Sequence, residues 1–524
     1  MTPPRRAVPL PSWARRAVVA AIGLVLIVLG LTRLLAPLAD LSIEKTVVDQ
    51  TPVTIFRPAA GPSGPAVVIA HGFAGSQQLM DSFAIALARN GYVAVTFDAL
   101  GHGRDPEPLS GDLALIDGAT VYLLNQLHQV AQYALTLVPD QPRLAVLGHS
   151  MASDIVVRYA NEDPAVAATI AVSMFSPAVT ETSPANLLVL VGGLESDLVK
   201  GEALRAVAMV AGLAAPQPAV TYGNRDKGTA RRYAIAPGVE HIGVLFSRAA
   251  SAEAVAWLND VFHRGEARPA PARLPWIGLL LGGVLLLAWP LASLLPKVAP
   301  PPSGPALAWR HFLPVALGPA VLTPLILRPL PTDFLPTLVG DYLIVHCAVY
   351  GLLTAGGLWW LHHTHGWIPP GWPRLDRAGW IRLGVGGSLV CAYTLLAFGG
   401  PVDTFVTAVA PSASRLPLIP IALVGTGLYF LADETLVRGP RRHTGRSILT
   451  RVLFLFSLGL AIALDFESLF FLIILVPALA VMLIVFGLFG RWTWQRTGHV
   501  AGGAGALAVA FALAIAAIFP VVGD

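Results

Sequence analysis

The sequence predicts a chain in two parts: an α/β domain on a doubly wound, mostly parallel sheet, followed by an all-α polytopic transmembrane domain. Three observations predict this. Between about 42 and 266, short continuous apolar runs alternate with helical stretches, as buried parallel strands covered by helices do. From about 276 onward, apolar segments near the ~20 residues of a bilayer-crossing helix recur. The 524-residue chain is 55% hydrophobic and only 13% charged, against about 25% charged for a soluble domain. The net charge of +4 comes from arginines gathered in loops between apolar segments. That pattern speaks for membrane topology and against nucleic-acid binding. The two cysteines, Cys347 and Cys391, lie far apart inside apolar segments and argue against a disulfide framework.

Residues 1–41 read as a cytoplasmic N-terminus and a membrane anchor. Arg5, Arg6, Arg15 and Arg16 precede an apolar segment from Ala17 to Ala39. Pro37 occupies the minus-three position of the one plausible cleavage site, so an uncleaved anchor is expected. The basic flank puts the N-terminus in the cytoplasm and residues 42–266 outside it. Within 42–266, strands are predicted at 65–70, 92–97, 144–147, 168–173, 187–191 and 232–236, with helices such as 77–91 and 121–138 between them. A Pro- and Ala-rich linker at 267–275 follows. Residues 276–524 then predict about eight spans, near 276–295, 312–330, 338–361, 381–399, 416–433, 448–464, 468–489 and 499–520. Threaded from outside, the loops holding Lys297 and Arg310, Arg374 and Arg377, Arg438, Arg441, Arg442 and Arg446, and Arg491 and Arg496 all fall in the cytoplasm. The opposite loops carry only Arg328 and Arg415, so charge and span count agree.

The chemistry centres on "LAVLGHSMAS". A serine hydroxyl is a poor nucleophile until a base takes its proton. A sharp strand-to-helix turn presents the oxygen and aims a helix N-terminus at the developing negative charge. Such a turn needs small neighbours, and Gly148, His149, Ser150 and Ala152 match this nucleophile-elbow pattern. "HGFAGS" (71–76) and "DALGHGRD" (98–105) each follow a predicted strand. The second reads as a structural turn that shapes the rim. After "LLVLVGG", Glu195 and Asp197 offer carboxylates, and "VEHIG" offers His241. The remaining histidines of this part fit a base less well. His71 and His102 belong to Gly turns, His149 adjoins the nucleophile, His128 lies within a helix, and His263 sits near a helix end.

On these motifs, residues from about 45 to 264 resemble the α/β-hydrolase superfamily, close to its dienelactone-hydrolase-like and small esterase members. The resemblance implies a triad in the order serine, acid, histidine. Ser150 is then the nucleophile, Asp197 the expected acid with Glu195 as the alternative, and His241 the base. It also implies an oxyanion hole from the backbone N–H groups of Phe73 and Met151, with no metal or cofactor.

The membrane half carries weaker signals. "LADETLVRG" (431–439) and the stretch 487–510 resemble the CAAX-protease and bacteriocin-processing family. Asp433 stands where that family's first glutamate belongs, and the later helices lack its histidines; only His499 is near, so the resemblance implies a degenerate relative. Asp433 aside, Glu434 and Arg438 read as a helix-end pair. His362, His363 and His365 could hold a metal but lack a second ligand cluster and read as an interfacial loop, and Asp341 and His346 are ionisable residues in one span that do not share a face well.

The expected function is a membrane-integral serine hydrolase. It would be a carboxylic ester hydrolase working through an acyl-enzyme on a small acyl or lipid-like substrate at the bilayer. Acyl transfer or peptide cleavage by the same triad, and a non-catalytic ligand-binding or transport role, stand as alternatives.

Overall fold

The computed structural model describes residues 11–60, 64–111, 117–300, 307–369, 372–439 and 444–523. Arg5, Arg6, Arg441 and Arg442 therefore lie outside the described residues. The chain opens with helix α1 (Ser12–Leu35) and then builds an eight-stranded sheet. Its strands are β1 (Leu41–Val48), β2 (Thr51–Pro58), β3 (Ala66–Ala70), β4 (Val93–Phe97), β5 (Leu144–His149), β6 (Val166–Val172), β7 (Leu187–Gly192) and β8 (Arg231–Ala236). The spatial order is β1-β2-β4-β3-β5-β6-β7-β8. Strands β3 to β8 pair in parallel, and the β1–β2 hairpin is antiparallel, joined through β2 to β4. All six predicted strands are present; the hairpin was not among them.

The helices of this part are α2 (Asp81–Arg89), α3 (Ala119–Thr136), α4 (Met151–Glu162), α5 (Asp197–Ala211) and α6 (Arg248–Val261). Side chains alternate across the pleat. Val67, Ile69, Leu147 and Leu190 pack toward α2 and α6. Val68, Val93 and Val146 pack toward α3 and α4, and Val189 toward α5. With both faces covered, the central strands are continuously apolar, which is why they read as plain hydrophobic runs.

Helices α7 (Leu274–Ala292), α8 (Trp309–Leu327), α9 (Gly340–His365), α10 (Arg377–Ala392), α11 (Gly400–Phe405), α12 (Leu418–Val437), α13 (Thr444–Leu464), α14 (Phe466–Leu469), α15 (Leu472–Thr497) and α16 (Val500–Ile518) follow. A π-helical segment, Tyr393–Gly399, joins α10 to α11 as one long rod. Among the described residues, nine helical stretches are long and apolar enough to cross a membrane, α1 included. α1 lies directly against α7, so the two apolar helices that precede and follow the sheet in sequence are neighbours. A Cβ at Gly30 would meet the backbone of Trp276 and Leu280 at 2.9 Å, and one at Gly283 would meet the Gly23 carbonyl at 2.7 Å. Small residues allow this close approach, as in membrane helix pairs generally.

The sheet does not hang free of the helices. The loops at the C-terminal ends of β3 and β4 rest on one end of the helical bundle. Arg104 pairs with Asp403 at 2.6 Å, and the Ser76 and Thr407 hydroxyls lie 2.9 Å apart. The buried guanidinium of Arg415 donates to the carbonyls of Gly101, Ala516 and Phe519. Residues 520–523 bridge both parts: Leu109 N–H donates to Val521 O at 2.9 Å, and Leu338 N–H donates to Pro520 O at 2.9 Å.

Candidate active site

Strand β5 ends at His149 and α4 begins at Met151, so Ser150 is the whole turn. It holds φ 53° and ψ −116°, a region costly for a side-chain-bearing residue and typical of functional turns. Only small residues permit the fold-back. A Cβ at Gly148 would meet the Ala152 carbonyl oxygen at 2.3 Å, and one at Gly72 would meet Ser150 Cβ at 3.0 Å. The second contact brings the loop after β3 against the elbow. Phe73 follows directly, and Met151, the first residue of α4, has an N–H with no intrahelical acceptor. The two expected oxyanion donors thus belong to the loop and the helix that meet at Ser150.

His241 lies in the turn after β8. With its ring protonated at Nδ1, it donates to Glu195 Oε1 at 2.7 Å and accepts at Nε2 from the Ser150 hydroxyl at 2.9 Å. The carboxylate at the imidazole is thus Glu195, not the expected Asp197. The tight turn after β7 explains the choice. Glu195 folds back so that Oε2 accepts from Gly192 N–H at 2.6 Å and from the Ser173 hydroxyl at 3.0 Å. Its side chain is 1% exposed. Asp197 is the exposed first residue of α5, where a carboxylate complements the helix dipole. Ser173, with φ 53° at the end of β6, is a site residue that the sequence did not single out; it carries no motif.

The other histidines hold loops in place. His149 Nε2 donates to the His241 carbonyl at 3.0 Å, fixing the backbone that carries the imidazole. Burial, and then the neighbouring His241 ring, hold its pKa well below the ordinary histidine value, so it stays neutral. His71 donates from Nδ1 to Gly72 O at 2.8 Å and accepts from Ala99 N–H at 3.0 Å, joining the β3 and β4 loops. Burial lowers its pKa. The "DALGHGRD" turn is tight. Asp98 accepts from Gln77 N–H at 2.8 Å and Arg104 N–H at 3.1 Å, and Gly103, at φ 53°, has no room for a Cβ beside that carboxylate. His102 donates from Nδ1 to Leu100 O at 2.8 Å, and burial pushes its pKa down to about 3. His128 packs edge-on against Tyr159, and His263 is highly exposed.

The bundle reaches this site. Phe73 stacks on Phe471, between α14 and α15, with ring centroids 4.1 Å apart. The rim after β6 and β7 carries Phe175, Leu194 and Leu198, exposed by 59%, 68% and 66%.

Elsewhere, Glu434 is held by Arg438 through contacts of 2.5 and 2.7 Å, and His499 caps α16 by accepting from Ala501 N–H at 3.2 Å. His362, His363 and His365 end helix α9 and are not the expected loop; His363 bonds the Trp359 carbonyl, and His346 bonds Ser457. Asp341 accepts from the N–H of Tyr342. Among the described residues no group of three or more His, Cys, Asp or Glu side chains is placed to hold a metal.

Residues 61–233 match the Hydrolase_4 family, described as serine aminopeptidase, S33. This part of the chain is an α/β-hydrolase domain. The match spans Ser150 and Glu195 and ends before His241. Three solved structures resemble the chain. A predicted CIB-like hydrolase from Thermoplasma acidophilum is 16% identical, with a TM-score of 0.33, over 42% of this chain and 98% of its own. A bacterial membrane phospholipase A is 16% identical, with a TM-score of 0.29, over 48% and 93%. A hypothetical protein from Pseudomonas aeruginosa is 13% identical, with a TM-score of 0.29, over 40% and 89%. No protein of curated function matches the chain.

Proposed function

We propose that the protein is a membrane-integral serine hydrolase that cleaves carboxylic esters through an acyl-enzyme. The observation that carries this reading is the continuous chain from Ser150 Oγ to His241 Nε2 at 2.9 Å and from His241 Nδ1 to Glu195 at 2.7 Å. Ser150 attacks the acyl carbon while His241 takes its proton at Nε2. The tetrahedral oxyanion is received by the N–H groups of Phe73 and Met151. His241 then gives the proton to the departing alcohol. Water, deprotonated by the same nitrogen, releases the acid. Glu195 keeps the Nδ1–H tautomer and stabilises the imidazolium.

The substrate we propose is apolar or membrane-associated. Its support is the Phe73–Phe471 stack and the exposed Phe175, Leu194 and Leu198 on the strand ends that carry Ser150. We propose further that this end of the bundle faces away from the cytoplasm. The arginine-rich ends of α10, α12, α13 and α15 lie at the opposite end.

A long-chain ester in vesicles and a soluble short-chain ester, offered to the full-length protein and its Ser150→Ala variant, test this. Hydrolysis of both esters by the variant at the parent's rate would refute the triad. A preference for the soluble ester would refute the substrate class. The serine aminopeptidase description of the matching family favours one alternative, peptide cleavage by the same residues; a peptide panel run beside the esters separates the two.

A further inference from the structure

At the end of the bundle away from Ser150, helices α10, α12, α13 and α15 and the segment after α7 enclose a cavity of about 890 Å³. It has two kinds of wall. One is apolar: Val452, Leu455, Leu483, Ile484 and Leu488 line it. Val452 and Ile484 are more than half exposed on the outer faces of α13 and α15, so this side opens toward lipid chains. The other is cationic, formed by Lys297, Arg382, Arg438, Arg451, Arg491 and Arg496. Among the described residues, no carboxylate lines it.

Arg438 and Arg451 are held by buried carboxylates. Arg438 grips Glu434 in a fork, and Arg451 reaches Asp433 at 3.6 Å and Glu434 at 3.4 Å. Glycines make room for this buried cluster. A Cβ at Gly487 would meet Arg451 Nε at 2.6 Å, and one at Gly490 would meet Glu434 Oε2 at 2.7 Å. Lys297, Arg382 and Arg496 form no ion pair among the described residues. Among the described residues, Arg382 donates only to the carbonyls of Ala378 and Lys297, and Arg496 only to that of Leu295. These contacts orient the guanidinium groups without neutralising them.

We infer that this cavity is a binding site for a phosphate-headed amphiphile, an anionic phospholipid. The phosphate would sit among Lys297, Arg382 and Arg496, where guanidinium forks suit its oxygens. An acyl chain would run along the apolar wall between α13 and α15. A free phosphate would leave that wall uncovered, and a zwitterionic lipid would set a second cation against the arginines. Basic hollows between membrane helices at the arginine-rich side select anionic headgroups for this reason. The site is independent of the Ser150 chemistry.

The test is the melting temperature of purified full-length protein in detergent. It is titrated separately with dioleoylphosphatidylglycerol, dioleoylphosphatidylcholine and inorganic phosphate, because a ligand of the folded state stabilises it by mass action. Saturable stabilisation by phosphatidylglycerol alone is expected. Arg382→Gln and Arg496→Gln should each weaken the apparent affinity about fivefold, at roughly 1 kcal/mol per basic group. Arg374→Gln, at the same end but outside the cavity, should leave it unchanged. Equal stabilisation by phosphatidylcholine, the full effect from inorganic phosphate alone, or parent-like titrations in both cavity variants would overturn the inference. If Arg496→Gln does not fold, the exposed Arg382 and its variant decide the outcome by themselves.

Discussion

Replacing Glu195 by Gln removes one charge without changing the shape of the side chain, and the consequence can be worked out from its neighbours. Oε2 accepts from the Gly192 N–H at 2.6 Å, and Oε1 accepts from His241 at 2.7 Å. A backbone N–H cannot reverse its polarity, so the amide oxygen introduced by Glu195→Gln must face Gly192. The new NH2 group then faces His241 Nδ1 and needs an unprotonated nitrogen there. The imidazole proton moves to Nε2, the atom that must accept from Ser150. The carboxylate that would stabilise the imidazolium is gone as well. Loss of the correct tautomer at an intact triad costs about 10⁴-fold in kcat, or about 5.5 kcal/mol of barrier. Asp197→Asn, on the exposed start of α5, should stay within about twofold, as surface changes do. Turnover of a chromogenic butyrate ester by the two full-length variants, with circular dichroism to confirm folding, measures both. The reverse order of damage, or an Asp197→Asn enzyme as impaired as the Glu195→Gln enzyme, would refute the tautomer argument.

Three further outcomes are expected. Gly148→Ala should lower the melting temperature and slow ester turnover, because the new methyl meets backbone at Ala152 that cannot yield; parent-like behaviour would mean the elbow is looser than described. Asp105 is pushed up to about 7 by burial, and next by the Asp98 charge. Its folded-state pKa is raised, so the native form binds the extra proton, and this contribution is lost as pH rises from about 4 through about 7. The melting temperature should therefore fall over that window by more in the parent than in Asp105→Asn; identical slopes would show that the carboxyl stays ionised. A phosphatase reporter fused after Arg264 should be active outside the cytoplasm; activity confined to the cytoplasm would invert the proposed topology.

Much of this was legible in the sequence, and the failures have physical causes. The six parallel strands announced themselves because both faces are buried. The β1–β2 hairpin did not, since Glu44 and Lys45 are exposed on the outer strand and break any apolar run. Ser150 and His241, which the hydrolase resemblance singled out after two strand ends, lie within one hydrogen bond of each other. The sequence pointed to Asp197 over Glu195, two residues apart, but it is Glu195 that reaches His241. The choice depends on how tightly the chain folds back on Gly192, and the spacing in the sequence does not encode that. The Phe73–Phe471 stack and the Arg415 contacts join residues hundreds of positions apart, and neither Phe471 nor Arg415 carries a motif.

The most direct test of the proposed chemistry is the reaction of the full-length protein with a fluorophosphonate, followed by peptide mapping. Phosphonylation should reach one group per chain, at Ser150, and should fall by orders of magnitude in the Glu195→Gln and His241→Ala variants. An unlabelled protein, a label at another serine, or labelling of Ser150 that persists unchanged without Glu195 and His241 would contradict a Ser150–His241–Glu195 nucleophile.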